Sequence, residues 1–145
     1  MVDLKNITKA LIQFHNSGAA AKKDAKNPFF KSKYASLEEV IETVRAEAGK
    51  VGLTFTQLVD FDKHHTYVVT IIMHESGESL SGRTPVLVKD YSDPQKMGSG
   101  ITYAKRYGLQ AAFGLPSEDD DGNAASMPKP KVTKIASTTS DNGEW

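Results

Sequence analysis

The sequence predicts an α+β domain: a three-stranded antiparallel β meander followed by a crossing helix, a β-β-β-α core. Two N-terminal helices precede it and a disordered C-terminal tail follows. Three observations predict it. β-patterned segments follow one another through short turns between residues 53 and 89. A helical period then takes over from Ser99 to about Phe113. Beyond residue 117 the large apolar residues that a core requires become scarce. The domain is expected to span 1–125 and the tail 126–145.

The bounds agree with one domain. The chain has 145 residues, 39% of them hydrophobic, which is enough for a sizeable core. No apolar run approaches the roughly 20 residues that span a bilayer. The opening MVDLKNITKALIQF lacks the basic-then-apolar layout of a signal peptide. With no cysteine, disulfides and thiolate metal sites are excluded, and a reducing cytoplasm is the expected location. Net charge is zero but unevenly spread. Residues 1–115 hold 15 Lys+Arg against 12 Asp+Glu, a net of +3, and residues 116–145 hold 3 against 6, a net of −3. A basic body with an acidic tail is compatible with nucleic acid as a partner.

Residues 3–16 read as a helix, with Asp3 as its cap and Leu4, Ile7, Leu11 and Phe14 as its apolar stripe. Residues 19–35 form a loop marked by Pro28. Five lysines, Lys22, Lys23, Lys26, Lys31 and Lys33, are interleaved there with Phe29, Phe30 and Tyr34. Ammonium groups neutralise phosphates without reading sequence, and aromatic faces accept stacked bases. The competing reading is a solvated loop anchored to the core by its phenylalanines. Residues 36–48 are a second helix: Ser36 caps it and Glu39 completes a capping box. Leu37, Val40, Ile41 and Val44 would face the core, leaving an acidic outer face.

The strands are expected at Leu53–Val59, Thr66–His74 and about Glu78–Lys89. The second, TYVVTIIMH, is apolar on both faces, which predicts a central strand covered on both sides. Pro85 lacks an amide donor and predicts an edge or a bulge in the third. Asp93 can cap the last helix and Pro94 suits its first turn, with Ser99 as a rival start. Met97, Ile101, Ala104, Gly108, Ala111 and Ala112 fall on one side, so a backbone with small side chains can pack closely. Tyr103, Arg106, Tyr107 and Gln110 gather on the other, flanked by Lys105.

Some chemistry has no support. There is no phosphate-cradling GxxxxGK motif. His15, His64, His65 and His74 lack metal-ligand spacing, and the adjacent pair reads as an exposed hairpin turn. The run Glu118-Asp119-Asp120-Asp121 is the one argument for a metal-dependent nuclease. Consecutive acids on one loop cannot all converge on a single ion, so a structural role is the stronger reading.

The stretch GSGITYAKRYGLQAAFGLPSEDDDGN, with KNPFFKSKYASLEEVIETVR and GLTFTQLV upstream, resembles the ERF (essential recombination function) superfamily over roughly residues 5–125. These are phage single-strand annealing proteins. Gly100 departs from the family pattern, which has alanine there. The resemblance implies a core like that of the eukaryotic annealing mediator, a three-stranded sheet with a crossing helix. It also implies assembly into rings or helical filaments. The function expected on both grounds is ATP-independent binding of single-stranded DNA and annealing of complementary strands. No catalytic residue, metal or cofactor is expected. The expected DNA-binding residues are Lys22, Lys23, Lys26, Phe30, Lys31, Lys33, Tyr34, Tyr103, Lys105, Arg106 and Tyr107, with Arg83, Lys89 and Lys96 as weaker candidates. The tail ends DNGEW, an acidic, aromatic tip suited to a partner such as a single-strand-binding or replication protein. A protein-interaction module acting through that tail is therefore the third reading, beside annealing and nuclease.

Overall fold

Local signals set most element boundaries. The computed structural model describes residues 3–19 and 35–116. Two helices, α1 (Lys5–Asn16) and α2 (Leu37–Ala48), lead into strands β1 (Leu53–Phe61), β2 (Thr66–His74) and β3 (Ser79–Pro85), and helix α3 (Pro94–Ala112) follows. The predicted β-β-β-α core is present. The expected boundary near residue 125, the acidic run and the tail lie outside the described residues.

The capping box of α2 forms as its sequence requires. The Ser36 hydroxyl accepts from Glu39 N at 3.1 Å, and Glu39 Oε1 accepts from Ser36 N at 2.8 Å. In α3 Asp93 is the cap, accepting from Gln95 N and Lys96 N, and Pro94 occupies the first turn, so Ser99 lies inside the helix. Asp3 stands one residue too early to be the cap of α1. It accepts from Lys5 N instead, while Glu78 reaches in from the β2–β3 turn. Its carboxylate accepts from Ile7 N at 2.9 Å, Asn6 Nδ2 at 2.6 Å and Ser76 Oγ at 2.9 Å. A donor of the first helical turn that lacks a local partner is thus satisfied across the fold.

The sheet order is β1-β2-β3, antiparallel throughout, with Phe55 opposite Ile72 and Ile72 opposite Leu80. β2 is central, as expected. β3 is an edge strand that ends at Pro85, short of the expected Lys89, although Val86 N still donates to the Thr66 carbonyl at 2.8 Å; the missing Pro85 donor falls on the outer side of the edge. Val68, Thr70 and Ile72 face the helices. On the other face Val69, Ile71 and Met73 are half-buried and Leu58 is exposed, and among the described residues they belong to neither buried cluster.

The core lies between the sheet and the helices. Phe14 and Phe113 meet at 5.1 Å between ring centroids, and Phe55 lies 6.1 Å from Phe113. Ile7, Val40, Val44 and Leu109 close around them, all fully buried. A smaller cluster of Val68, Val86 and Ala104 continues under the first half of α3.

Two outcomes are expected. Phe113→Ala should lower the unfolding free energy by about 3–5 kcal/mol in urea titration. The second concerns Glu78, whose hydrogen bonds, that from Ile7 N first, hold its carboxyl below the ordinary 4.5. A carboxylate depressed in the folded state stabilises the fold above the ordinary value and loses that contribution as pH falls through the folded one. Wild type should therefore melt above Glu78→Gln at pH 6, and the gap should narrow in acid, as read by thermal melts across pH.

Candidate nucleic-acid interface

α3 crosses the sheet at close range because glycine occupies two contact points. A Cβ on Gly108 would lie 2.8 Å from Thr84 Oγ1 and 2.9 Å from Thr70 Oγ1. A Cβ on Gly100 would collide with Val88 Cγ1 and meet Val86 Cγ1 at 3.1 Å. The departure from alanine at Gly100 therefore has a local reason: in this chain valine side chains fill the space a methyl group would need.

The close approach brings a strand side chain to the helix backbone. Gln57 Nε2 donates to Thr70 Oγ1 at 2.9 Å and to the Lys105 carbonyl at 3.0 Å. Gln57 was not among the expected site residues. Its signal was a long polar side chain on the core-facing register of β1. This clasp fixes the turn of α3 that carries Tyr103, Arg106 and Tyr107.

Tyr103 and Tyr107 are 54% and 47% exposed, and their rings lie 6.3 Å apart and 12° from parallel. Their i, i+4 spacing stacks them one turn apart. Arg106 is only 4% exposed, with its guanidinium carbon 5.2 Å from the Tyr103 centroid and 4.7 Å from that of Tyr107. The helix faces differ here from expectation. Arg106, Leu109 and Gln110 are buried while Ala111 is exposed. α3 packs against α2 as well as the sheet. Arg106 thus supports the two rings from behind.

Four of the eleven expected site residues are described, and the structure groups three of them. Lys105 stands about 200° round the helix from either tyrosine, on another flank. Lys22, Lys23, Lys26, Phe30, Lys31, Lys33 and Tyr34 lie outside the described residues. Two weaker candidates gain position. Lys89 and Lys96 line a groove of 490 Å³ with Leu87, Ser99 and Tyr103. Lys96, Tyr103 and Tyr107 lie seven and four residues apart, on one stripe of α3 about 16 Å long. Arg83 lies elsewhere, over the Tyr67 ring at 4.2 Å.

His64 and His65 occupy the exposed β1–β2 turn, as expected. Both backbone N–H groups donate to Asp62 Oδ1, and these bonds hold the Asp62 carboxyl below its usual range. Among the described residues no cluster of three His, Cys, Asp or Glu is arranged for a metal ion, and no helix is long and apolar enough to cross a membrane.

Arg106→Ala should lower the melting temperature by an amount equivalent to about 1–3 kcal/mol, because it empties a buried position. Tyr103→Ala, at an exposed position, should cost less than about 1 kcal/mol. Thermal denaturation of the two variants separates support from platform.

The ERF superfamily model matches residues 7–144 of the chain. Neither curated proteins nor solved structures gave a match.

Proposed function

The chain belongs to the ERF superfamily, the phage single-strand annealing and recombination proteins, and on that premise we propose that it binds single-stranded DNA and anneals complementary strands without ATP. The observation that carries this reading is the pair of near-parallel, exposed tyrosines held by a buried arginine. Aromatic faces take any base, so such a platform suits a protein indifferent to sequence. Lys89 and Lys96 supply charge at one end of the stripe, where both line the groove. In this reading Lys22, Lys23, Lys26, Lys31 and Lys33 add phosphate contacts, while Phe30 and Tyr34 add stacking. Lys105 contributes from the other flank of α3.

The mechanism needs no bond chemistry. Cations offset strand–strand repulsion, and release of their counterions favours binding. Bases held by one face keep their pairing edges available. Duplex formation then drives the reaction. Acting on replicating DNA, the protein would work in the bacterial host cytoplasm. Several copies in a ring or filament would align strands longer than one stripe, and the acidic tail would serve a host replication or single-strand-binding protein.

The test is binding of a labelled single strand at several salt concentrations, followed by its complement without ATP. Wild type should bind, weaken with salt and speed duplex formation. Tyr103→Ala and Tyr107→Ala should each lose about 1–3 kcal/mol per displaced base, roughly 5–150-fold in Kd. Lys89→Ala and Lys96→Ala should each lower the salt slope by about 0.7. Binding unaffected by both tyrosine variants would sink the assignment of this face.

A further inference from the structure

Rings and a cation meet at a second place, away from the tyrosines of α3. Tyr67 and Arg83 are diagonal neighbours on β2 and β3, since Tyr67 pairs with Pro85 and Val69 with Arg83. The Arg83 guanidinium carbon stands 4.2 Å from the Tyr67 centroid, so the cation lies against the ring. His65 continues the array, its ring 5.8 Å from that of Tyr67, and His64 follows at 6.2 Å. Arg83, His64 and His65 are exposed and Tyr67 is half-buried.

The turn is built to hold these rings. Asp62 Oδ1 accepts from His64 N at 2.8 Å and from His65 N at 2.9 Å, and Asp62 N donates to the His65 carbonyl at 3.0 Å. The ion pair found among the described residues joins Lys50 and Glu47, so no carboxylate there engages Arg83. Asp60, directly opposite Tyr67, and Asp62 flank the array. A phosphate beside them meets repulsion, whereas an uncharged base does not. Strand alternation puts Tyr67 and Arg83 on the sheet face away from Val68 and α3, so a short strand stacked on Tyr103 and Tyr107 does not occupy this site.

We propose that Arg83, Tyr67 and His65 form a second stacking site, which takes a base of the incoming DNA strand while the first strand lies on α3. Guanidinium planes and imidazole rings both accept stacked bases. Arg83 pinned on Tyr67 has less side-chain freedom to lose when a base stacks on its outer face. The grip is on the base, without the counterion release that anchors a strand by its phosphates, so the incoming strand is held lightly and its register can change before pairing. The two sites share one end of the sheet. Val86 N donates to the Thr66 carbonyl at 2.8 Å beside the turn, and Ala104, next to Tyr103, packs on Val86 and Val68. The role given to this site rests on the annealing reading.

The test is photo-cross-linking of the full chain with DNA strands of about ten nucleotides, within the range that one stacking surface holds. The chain is first loaded with one unmodified strand per molecule. A non-complementary strand carrying 5-iodouracil is then added, so that capture is read without pairing. After irradiation, mass spectrometry should find the second strand on His64, His65 or Tyr67. Cross-links to Tyr103 and Tyr107 alone, or none while the first strand stays bound, would overturn the proposal. If neither strand binds, the annealing reading falls and takes this site with it; if the first binds and the second never reaches the turn, only this site falls. Two exposed positions guard against misfolding. His65→Ala and Arg83→Gln should melt like wild type and each weaken capture of the second strand by about 5–150-fold. Unchanged capture in both would refute the site. Arg83→Lys separates stacking from charge, because an ammonium keeps the charge without the plane. It should lose capture as Arg83→Gln does, and wild-type capture by Arg83→Lys would overturn the stacking contact.

Discussion

The contact between Gly108 and the hydroxyls of Thr70 and Thr84 is the constraint on which the rest of the structure depends. A hydrogen atom fits there and a methyl group does not. With the helix at that depth, Gln57 reaches the Lys105 carbonyl, and Leu109 and Phe113 reach the core formed by Phe14, Phe55 and Val44. A helix held further out would lose the clasp and open space around Phe113. Voids of that kind are costly because a close-packed interior relaxes only in part. One missing side chain therefore serves both the core and the placement of the tyrosines.

Arg106 shows how the platform is kept rigid. Burying a guanidinium costs desolvation, and it cannot escape by losing its proton. Its position against the electron-rich faces of Tyr103 and Tyr107 offsets part of that cost. What the arrangement gains is order. Two exposed rings that would otherwise sample rotamers are held 12° from parallel. A ligand that stacks on rings already fixed has less side-chain entropy to remove on binding. Lysine in that position would keep the charge but lose the flat contact, so the residue type matters as well as the charge.

Elements whose determinants are local were legible. The capping box of α2, the Asp93-Pro94 start of α3 and the full span of β2 are set by residues within a few positions of one another. What was not legible depends on distant partners. Glu78 caps α1 from 71 residues away, and nothing near Asn6 or Ile7 announces it. The faces of α3 were misjudged because a wheel assumes one buried side, whereas this helix packs against the sheet and α2 together. Leu109 and Phe113, absent from the small-residue stripe, turned out to be among its most buried residues. The tyrosine pair was visible as spacing; its near-parallel order was not, because that depends on where the Arg106 side chain goes.

The topology also constrains how such a platform could serve a strand longer than itself. A nucleic-acid strand has polarity, so a repeated binding stripe helps only if each copy presents it in the same direction. Two-fold pairing of like edges would run successive α3 helices in opposite directions, and one strand would meet them alternately forward and reversed. Copies related by rotation about a single axis would keep every α3 pointing the same way, and each Lys96–Tyr103–Tyr107 stripe would then repeat with the same sense. Under the proposed annealing function, strand polarity therefore favours heterologous over two-fold contacts between copies.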